Sequence, residues 1–439
     1  MDSSLEGVGK TANLPPGCRC VQGVAPQFDY HGDIDMEAAQ QAHFTDKVVP
    51  LNGLLSDPYE FVFEPMADYF IDLTSAHLYA KVQITKPDGT ALEDGDTLKN
   101  VRVCDNLLSS MWKMIETKVN DVSIHPESAS SHPYRAEMEY LLSVEKGNLG
   151  SFTTTGFGAT TKSFRDKQHK AFDLCGPVAL DILRVNKHLA PNNKLSLTFH
   201  RAADAFPIII DPAPADDAAP IAYKLQIQEL ALYVNRIRLR RDVLAQTLSS
   251  PEQPQHYLTS HTEVKDFPVA KSISQWNIKL HSGGTLPHQV VVGFVETEAL
   301  TGSYLKDPLK FQPFDLDRIC LRVNGVRLPQ DPLMPRLADN HFSSRALLHL
   351  YQNTGKYRVN GGNYITEESF ASSHFLIPFD LTPDQCNNFH QHVGRTGSLD
   401  LELGWAAALA QPITVVVLSV FNQVIQLRGE KIPPAISLY

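Results

Sequence analysis

Hydrophobic and polar residues alternate with a period of two along much of the chain. Clear examples are Leu78–Ile84, Lys194–Phe199 and Leu399–Leu403. Such alternation places apolar side chains on one side of an extended segment, as in a β-strand with one buried face. Turn sequences such as Lys86–Gly89 and Val323–Val326 separate these runs, and their Pro, Asp, Asn and Gly residues favour tight turns. The pattern therefore predicts a chain built mainly of short strands.

Helical periodicity is restricted to a few short segments. The best candidates are Ser131–Leu142 and Ser344–Tyr351, each short enough to lie within a loop between strands. A helical turn is also predicted to begin at Thr382, where Pro383 suits the first helical position.

Four features recur in the same order in both halves of the chain. The pairs, first half then second, are Lys118–Val122 and Arg322–Val326, Arg135-Ala136 and Arg345-Ala346, Leu195–Phe199 and Leu399–Leu403, and the long runs Leu225–Leu239 and Ile413–Leu427. The first three pairs are 204, 210 and 204 residues apart. Because the order is kept, we interpret the chain as an internal duplication.

The duplication and the length predict the domain organisation. A chain of 439 residues exceeds the usual size of one hydrophobic core, and two all-β units of this size suit elaborated sandwiches. We predict an all-β fold of two tandem jelly rolls with few short helices in loops. The predicted divisions are a flexible arm at 1–45, a first roll at 46–245, a linker at 246–260 within Asp242–His261, and a second roll with a C-terminal tail at 261–439.

Composition and charge narrow the functional classes. The chain is 43% hydrophobic and 20% charged, as in ordinary globular protein, with a formal net charge of −10. A negative molecule does not bind nucleic acid through overall charge. Its longest strongly apolar run, Ile413–Phe421, is much shorter than a membrane helix needs. Six scattered cysteines do not form a disulfide framework, so we expect assembly in a reducing compartment.

Motifs for catalysis or cofactor binding are incomplete. Gly7–Thr11 lacks the first glycine of a phosphate loop, and Gly156–Gly158 lacks the last glycine of a dinucleotide fingerprint and is interpreted as part of a mobile loop. Cys386, His390 and His392 have metal-ligand chemistry but no evident fourth ligand. The carboxylates that alternate with leucines around Leu401 are typical of a strand edge in water. We predict no catalytic residue, metal or cofactor.

One basic cluster stands out, at 236–241. Its alternation places Arg236, Arg238 and Arg240 on one face of a strand, with Ile237 and Leu239 opposite. We predict a contact with an acidic neighbouring subunit or with nucleic acid, and the alternative is a solvated strand face near the junction. No aromatic residue interleaves with the arginines, which argues against stacking on single strands.

Several segments between Tyr134 and Lys431 together resemble a known family. They are Pro133-Tyr134-Arg135, Phe172–Pro177 leading to Leu180-Asp181, Gly302–Pro308 followed by Phe311 and Phe314–Leu316, Val323–Gly325, Thr354-Gly355, Gly362–Ile365, Phe379–Asp384 and the closing strand. The resemblance is to double jelly-roll, hexon-like major capsid proteins, in the branch carried by Polinton (Maverick) elements and adintoviruses.

The resemblance implies a structural protein of the virion capsid, made in the cytoplasm or nucleus of the host cell. It implies a homotrimer whose six similar sandwiches form a pseudo-hexameric capsomer, and icosahedral tiling with neighbouring capsomers, penton and minor capsid proteins. No sequence-specific nucleic acid binding and no transmembrane segment are expected. Two alternatives stay open: a tandem jelly-roll carbohydrate-binding protein, and a glycosidase or cupin-like enzyme on the same scaffold.

Overall fold

We describe the protein from a computed structural model. The described residues are 39–54, 57–92, 101–125, 131–158, 170–210, 222–247, 254–336, 343–359, 361–385, 392–428 and 432–438. Within these ranges, each helix is too short or too polar to cross a membrane. The incomplete phosphate-loop sequence Gly7–Thr11 and the residues Cys386 and His390 lie outside the described residues.

The first half of the chain forms a sandwich of two four-stranded antiparallel sheets. One sheet has the order β1-β10-β3-β7 and the other the order β2-β8-β5-β6, while β4 and β9 form a separate ribbon. The strands are β1 Gln40–Val48, β2 Tyr59–Phe63, β3 Tyr69–Thr85, β4 Val101–Val103, β5 Trp112–Val119, β6 Val122–His125, β7 Phe172–Pro177, β8 Leu195–Arg201, β9 Ile208–Ile210 and β10 Lys224–Leu239.

The second half repeats this arrangement. One sheet has the order β11-β18-β13-β16, and β19 pairs with the part of β18 that lies beyond β13. The other sheet has the order β12-β17-β14-β15. The strands are β11 Gln255–Val269, β12 Gln275–Thr285, β13 Gln289–Glu296, β14 Leu316–Val323, β15 Val326–Leu333, β16 Leu376–Asp380, β17 Thr396–Trp405, β18 Ile413–Arg428 and β19 Ile432–Leu438.

Both sandwiches are therefore jelly rolls with one topology. If the eight sandwich strands of each half are counted in chain order, the sheets read 1-8-3-6 and 2-7-4-5 in both halves. The predicted all-β double jelly roll is confirmed. The hairpins at Asn120 and Asn324 occupy equivalent positions, since Val119 pairs with Val122 and Val323 pairs with Val326.

The described helices are short and lie in loops, as predicted. The longest has 13 residues. They are α1 Leu107–Ser110, α2 Ser131–Ser143, α3 Leu149–Phe152, α4 Arg241–Thr247, α5 Thr297–Leu300, α6 Ser344–Asn353 and α7 Glu367–Ser372. The helices α2 and α6 confirm the two predicted from sequence, and each follows the hairpin of its own roll.

The two rolls are not independent units. Tyr134 and Met138 of α2, from the first half, are buried in the hydrophobic core of the second half. In return, Tyr257 and Ile425 of the second half are buried in the core of the first. This exchange of core residues removes apolar surface of each roll from water, which stabilises their association.

Two strands begin inside segments that the sequence analysis assigned to the arm and to the linker. The strand β1 begins at Gln40, within the predicted arm, and β11 begins at Gln255, within the predicted linker. Most side chains of β1 are exposed, so its pairing with β10 leaves no hydrophobic alternation to detect. The remainder of the arm, 1–38, lies outside the described residues, and the predicted divisions otherwise stay predictions.

Candidate interaction site

The arginine cluster lies at the end of β10, which is an interior strand between β1 and β3. In the register of the sheet, Arg236 lies opposite Phe44 of β1 and Ile71 of β3. It belongs to the same alternating series as Leu232 and Val234, which are buried in the core. The arginine face therefore continues the core-facing side of the sheet.

Arg236 is engaged within its own chain. Its side chain is 4% exposed, its Nε donates to Asp46 Oδ2 at 2.7 Å, and Nη2 donates to the carbonyl of Glu64 at 3.1 Å. The structure therefore places Arg236 inside the subunit, and its predicted subunit contact stays a prediction. Arg236 is buried because both edges of β10 are paired, and the Asp46 carboxylate of β1 compensates the buried positive charge.

Arg238 and Arg240 lie nearer the surface. The Arg238 guanidinium lies over the Tyr69 ring, 5.9 Å from its centroid, and Arg240 pairs with Asp242 at 2.7 Å. A surface cleft of 370 Å³ separates this strand end from α4, and its lining includes Arg241. The prediction of a subunit contact stays a prediction for Arg238 and Arg240, whose side chains a partner could reach.

A second polar cluster, not found from sequence, joins the two rolls. Arg135 of α2 and Asp181 are both almost completely buried, with Nη2 2.8 Å from Oδ1. Thr262 of β11 donates its backbone N–H and its hydroxyl to the same carboxylate, both at 2.9 Å. Because Asp181 belongs to the first roll and Thr262 to the second, this carboxylate links the rolls directly.

A loop of the second roll provides another link. The hydroxyl of Tyr304 donates to the carbonyl of Tyr223 at 2.8 Å, and the backbone carbonyl of Tyr304 accepts the N–H of Ile210 at 2.6 Å. The carboxylate of Asp307 accepts a hydrogen bond from the guanidinium of Arg102 at 2.9 Å. Gly302 has φ +96°, and a Cβ there would lie 2.9 Å from the backbone nitrogen of Phe206. The segment Gly302–Pro308, part of the family resemblance, thus lies at the junction of the rolls.

Burial keeps two ionisable side chains of α2 in their neutral forms. Burial, followed by the charge of Arg135, lowers the pKa of His132 to about 3. Burial, followed by the nearby carboxylates of Asp105 and Asp307, raises the pKa of Glu137 well above its usual range. A helix between two rolls is desolvated on all sides, so the neutral forms are favoured.

A cleft of 950 Å³ remains between the rolls. Met138 and Leu142 of α2 lie on one side, and Val291 and Leu418 of the second roll lie on the other. Among the described residues, no group of three or more His, Cys, Asp or Glu side chains is placed to hold a metal ion.

Of the two carboxylates around Leu401, Asp400 is half-buried, and Glu402 does not face water. Glu402 is buried on β17, an interior strand, and accepts from Arg322 and from Arg327, the latter at 3.0 Å. Burial alone would raise the pKa of Glu402, but the hydrogen bond from Cys320 and the two guanidinium groups hold it below its usual value. The strand-edge interpretation was wrong because arginines of β14 and β15 cover this residue.

Two other sequence candidates have structural roles. Phe157 is fully buried and Gly158 donates its N–H to Asp105 at 2.5 Å, so the mobile-loop interpretation of 156–158 was wrong. His392, the described member of the Cys386, His390 and His392 set, lies 3.0 Å from Asp384.

Comparison with known proteins finds no matching family model. A Caenorhabditis elegans protein, the uncharacterised F54H12.2, is 22% identical over 360 residues, which is 77% of this chain and 84% of that protein.

Solved viral structures share the fold over nearly the whole chain. A chain of the Sputnik virophage aligns with a TM-score of 0.62 at 10% identity, covering 98% of this chain and 94% of that one. A chain of the PBCV-1 virus capsid aligns with a TM-score of 0.62 at 9% identity, covering 93% of this chain and 99% of that one. The Faustovirus major capsid protein aligns with a TM-score of 0.53 at 9% identity, covering 87% of this chain and 90% of that one. At these identities the likeness establishes the double jelly-roll fold.

Proposed function

We propose that this protein is the major capsid subunit of a virion, with a structural and not an enzymatic role. The observation that carries the proposal is the repetition of one jelly-roll topology in both halves, in a fold shared along almost its full length with chains of viral capsids. Two similar rolls per chain let three copies present six similar sandwiches. Such a trimer is a pseudo-hexameric tile for an icosahedral shell.

The proposed partners are other copies of this chain in the trimer, neighbouring capsomers, and penton and minor capsid proteins. A closed threefold assembly would bury sheet surfaces between subunits, and it would stop at three copies instead of growing into a filament. An obligate interface of this kind buries on the order of 2,000–5,000 Å². The lineage that we propose, from sequence resemblance alone, is the Polinton (Maverick) and adintovirus branch.

The first test is the mass of the purified protein in solution. We expect light scattering on a size-exclusion column to give three times the chain mass of 48.8 kDa, and negative-stain images of any heavier fraction to show closed shells. A strict monomer at high protein concentration would contradict the proposal. Glycan binding by that monomer would then favour the carbohydrate-binding alternative.

We further propose that Arg238 and Arg240 contact an acidic surface of a neighbouring subunit. Replacing both with glutamate places like charges together, which costs several kcal/mol at an interface. The protein concentration needed for assembly at low salt should rise at least tenfold, because about 1.4 kcal/mol corresponds to tenfold in affinity. The difference should shrink at high salt.

The control is Arg336→Glu, since Arg336 is 56% exposed and pairs with Asp317 at 2.8 Å, much as Arg240 is 52% exposed and pairs with Asp242 at 2.7 Å. Light scattering against protein concentration, at two salt concentrations, measures the effect. If assembly and its salt dependence are the same in the double variant and in the control, these arginines do not form the contact.

A further inference from the structure

The helices α2 and α6 occupy equivalent positions but have different surroundings. When Arg135-Ala136 is matched to Arg345-Ala346, the stripe Arg135, Met138 and Leu142 corresponds to Arg345, Leu348 and Gln352. Residues spaced by three and four positions share one face of a helix. The two stripes can therefore be compared position by position.

The α2 stripe is buried against the second roll. Arg135 pairs with Asp181, which holds β11 through Thr262. A Cβ placed on Gly293 of β13 would lie 2.9 Å from Met138 Cε, and Leu142 lines the cleft between the rolls. This stripe therefore covers the β11 and β13 part of the outer face of the sheet β11-β18-β13-β16, the face turned away from the core of the second roll.

That cover contributes to a difference in burial between the two equivalent sheets, and α6 adds to it by packing on β16, where the His349 and Phe379 ring centroids are 5.3 Å apart. In the second roll, consecutive residues of β13 and β16 are buried on both faces. In the first roll, β3 and β10 keep an alternating pattern of buried and accessible residues. The outer face of the first roll's sheet therefore lacks the cover that its counterpart has.

The uncovered face is rich in aromatic side chains. His77 stacks on Tyr233 with ring centroids 5.2 Å apart, and Tyr79 meets Tyr233 edge-on at 6.5 Å. Lys47 lies 5.8 Å above the Tyr233 ring and pairs with Glu229 at 3.1 Å. We call His77, Tyr79 and Tyr233 the tyrosine face. Rigid aromatic groups with polar tips are typical of surfaces that bury on association.

The α6 stripe is exposed where the α2 stripe is buried. Leu348, the counterpart of the fully buried Met138, is 39% exposed, and Arg345 and Gln352 of the same stripe are also exposed. Tyr357 and Val359, shortly after the helix, are each 43% exposed. Exposed apolar side chains on one helix and on the segment that follows it indicate a candidate interaction surface.

We propose that the α6 stripe, with Tyr357 and Val359, binds the tyrosine face of a second copy of this chain. The contact between copies would then repeat the contact that α2 makes within one copy. The interface is heterologous, because it joins two different surfaces, and such an interface closes into a ring when the rotation between copies allows. This inference rests on the proposed function and names the surfaces through which the trimer forms.

The test uses two variants that each damage one surface, Tyr233→Asp and Leu348→Asp. Each variant alone should lose the trimer and give the monomer mass in light scattering. An equimolar mixture should give a species of twice 48.8 kDa, because one undamaged stripe and one undamaged face remain to pair. The control Val326→Asp changes an apolar side chain that is 69% exposed on β15, outside both surfaces, and should stay trimeric.

Complementation separates a damaged surface from a damaged fold, because misfolded chains do not restore each other. If the wild-type protein is trimeric and either variant keeps the trimer, the assignment of these surfaces is wrong although the proposed function stands. Native circular dichroism in both variants without a dimer in the mixture would equally overturn the pairing. A monomeric wild-type protein would overturn the proposed function itself.

Discussion

Replacing Asp181 by alanine is expected to lower the free energy of unfolding by about 3–5 kcal/mol, because it removes the carboxylate of a buried ion pair and leaves Arg135 with its contact to Glu139 at 3.1 Å. The Arg135 side chain is 2% exposed and lies 2.8 Å from this carboxylate. The variant also removes the acceptor for the N–H and hydroxyl of Thr262. Since Thr262 belongs to the second roll, the contact between the rolls should weaken together with the fold.

Urea unfolding followed by tryptophan fluorescence measures this effect, since Trp112 reports on the first roll and Trp276 and Trp405 report on the second. The control is Arg336→Ala, which removes an ion pair to Asp317 at 2.8 Å whose arginine is 56% exposed and which lies outside the buried cluster. An exposed pair is worth about 0–1 kcal/mol. Equal losses in the two variants would show that the buried cluster does not stabilise the junction.

Replacing Gly302 by alanine is the second substitution with a large expected effect. Its φ of +96° is unfavourable for a residue with a Cβ, at a cost of about 1–3 kcal/mol. The new Cβ would also lie 2.9 Å from the backbone nitrogen of Phe206 in the first roll. Such overlap costs a further 1–3 kcal/mol, roughly, because backbone cannot move aside as a flexible side chain can.

Gly325→Ala is the matched control for this variant. Gly325 has φ +83°, but a Cβ there would meet no atom within 4 Å. It therefore carries the conformational cost without the contact between rolls. Thermal or urea unfolding should show Gly302→Ala as clearly the less stable of the two. If both variants lose the same stability, the close approach at Phe206 contributes nothing measurable.

Much of the fold was predictable because local patterns of hydrophobic and polar residues indicate its strands. Alternation located β3, β8 and β17, and the long runs located β10 and β18. The ordered repeats predicted two rolls, and the identical strand orders confirm them. Alternation of hydrophobic and polar residues cannot locate a strand whose two faces are both exposed or both buried. The exposed β1 was therefore assigned to the arm, and Glu402 was assigned to a wet edge.

The candidate site was less predictable, as the arginine cluster shows. Alternation places Arg236 and Arg238 on one face of β10, whereas Arg240 follows the end of the strand. It could not indicate that β10 lies between two partners, or that Asp46 from a strand 190 residues earlier reaches Arg236. The link between Arg135, Asp181 and Thr262 likewise joins residues far apart in the chain, and no local pattern marks them.

The sequence by itself determined the fold class, the duplication and the helices that follow each hairpin. These depend on the periodicity of neighbouring side chains and on turn residues, which act over a few positions. Only the tertiary structure decided which strands pair, that α2 covers the second roll, and that the tyrosine face stays uncovered. Strand pairing uses backbone groups that every residue carries, so the choice of partner arises from packing between distant segments.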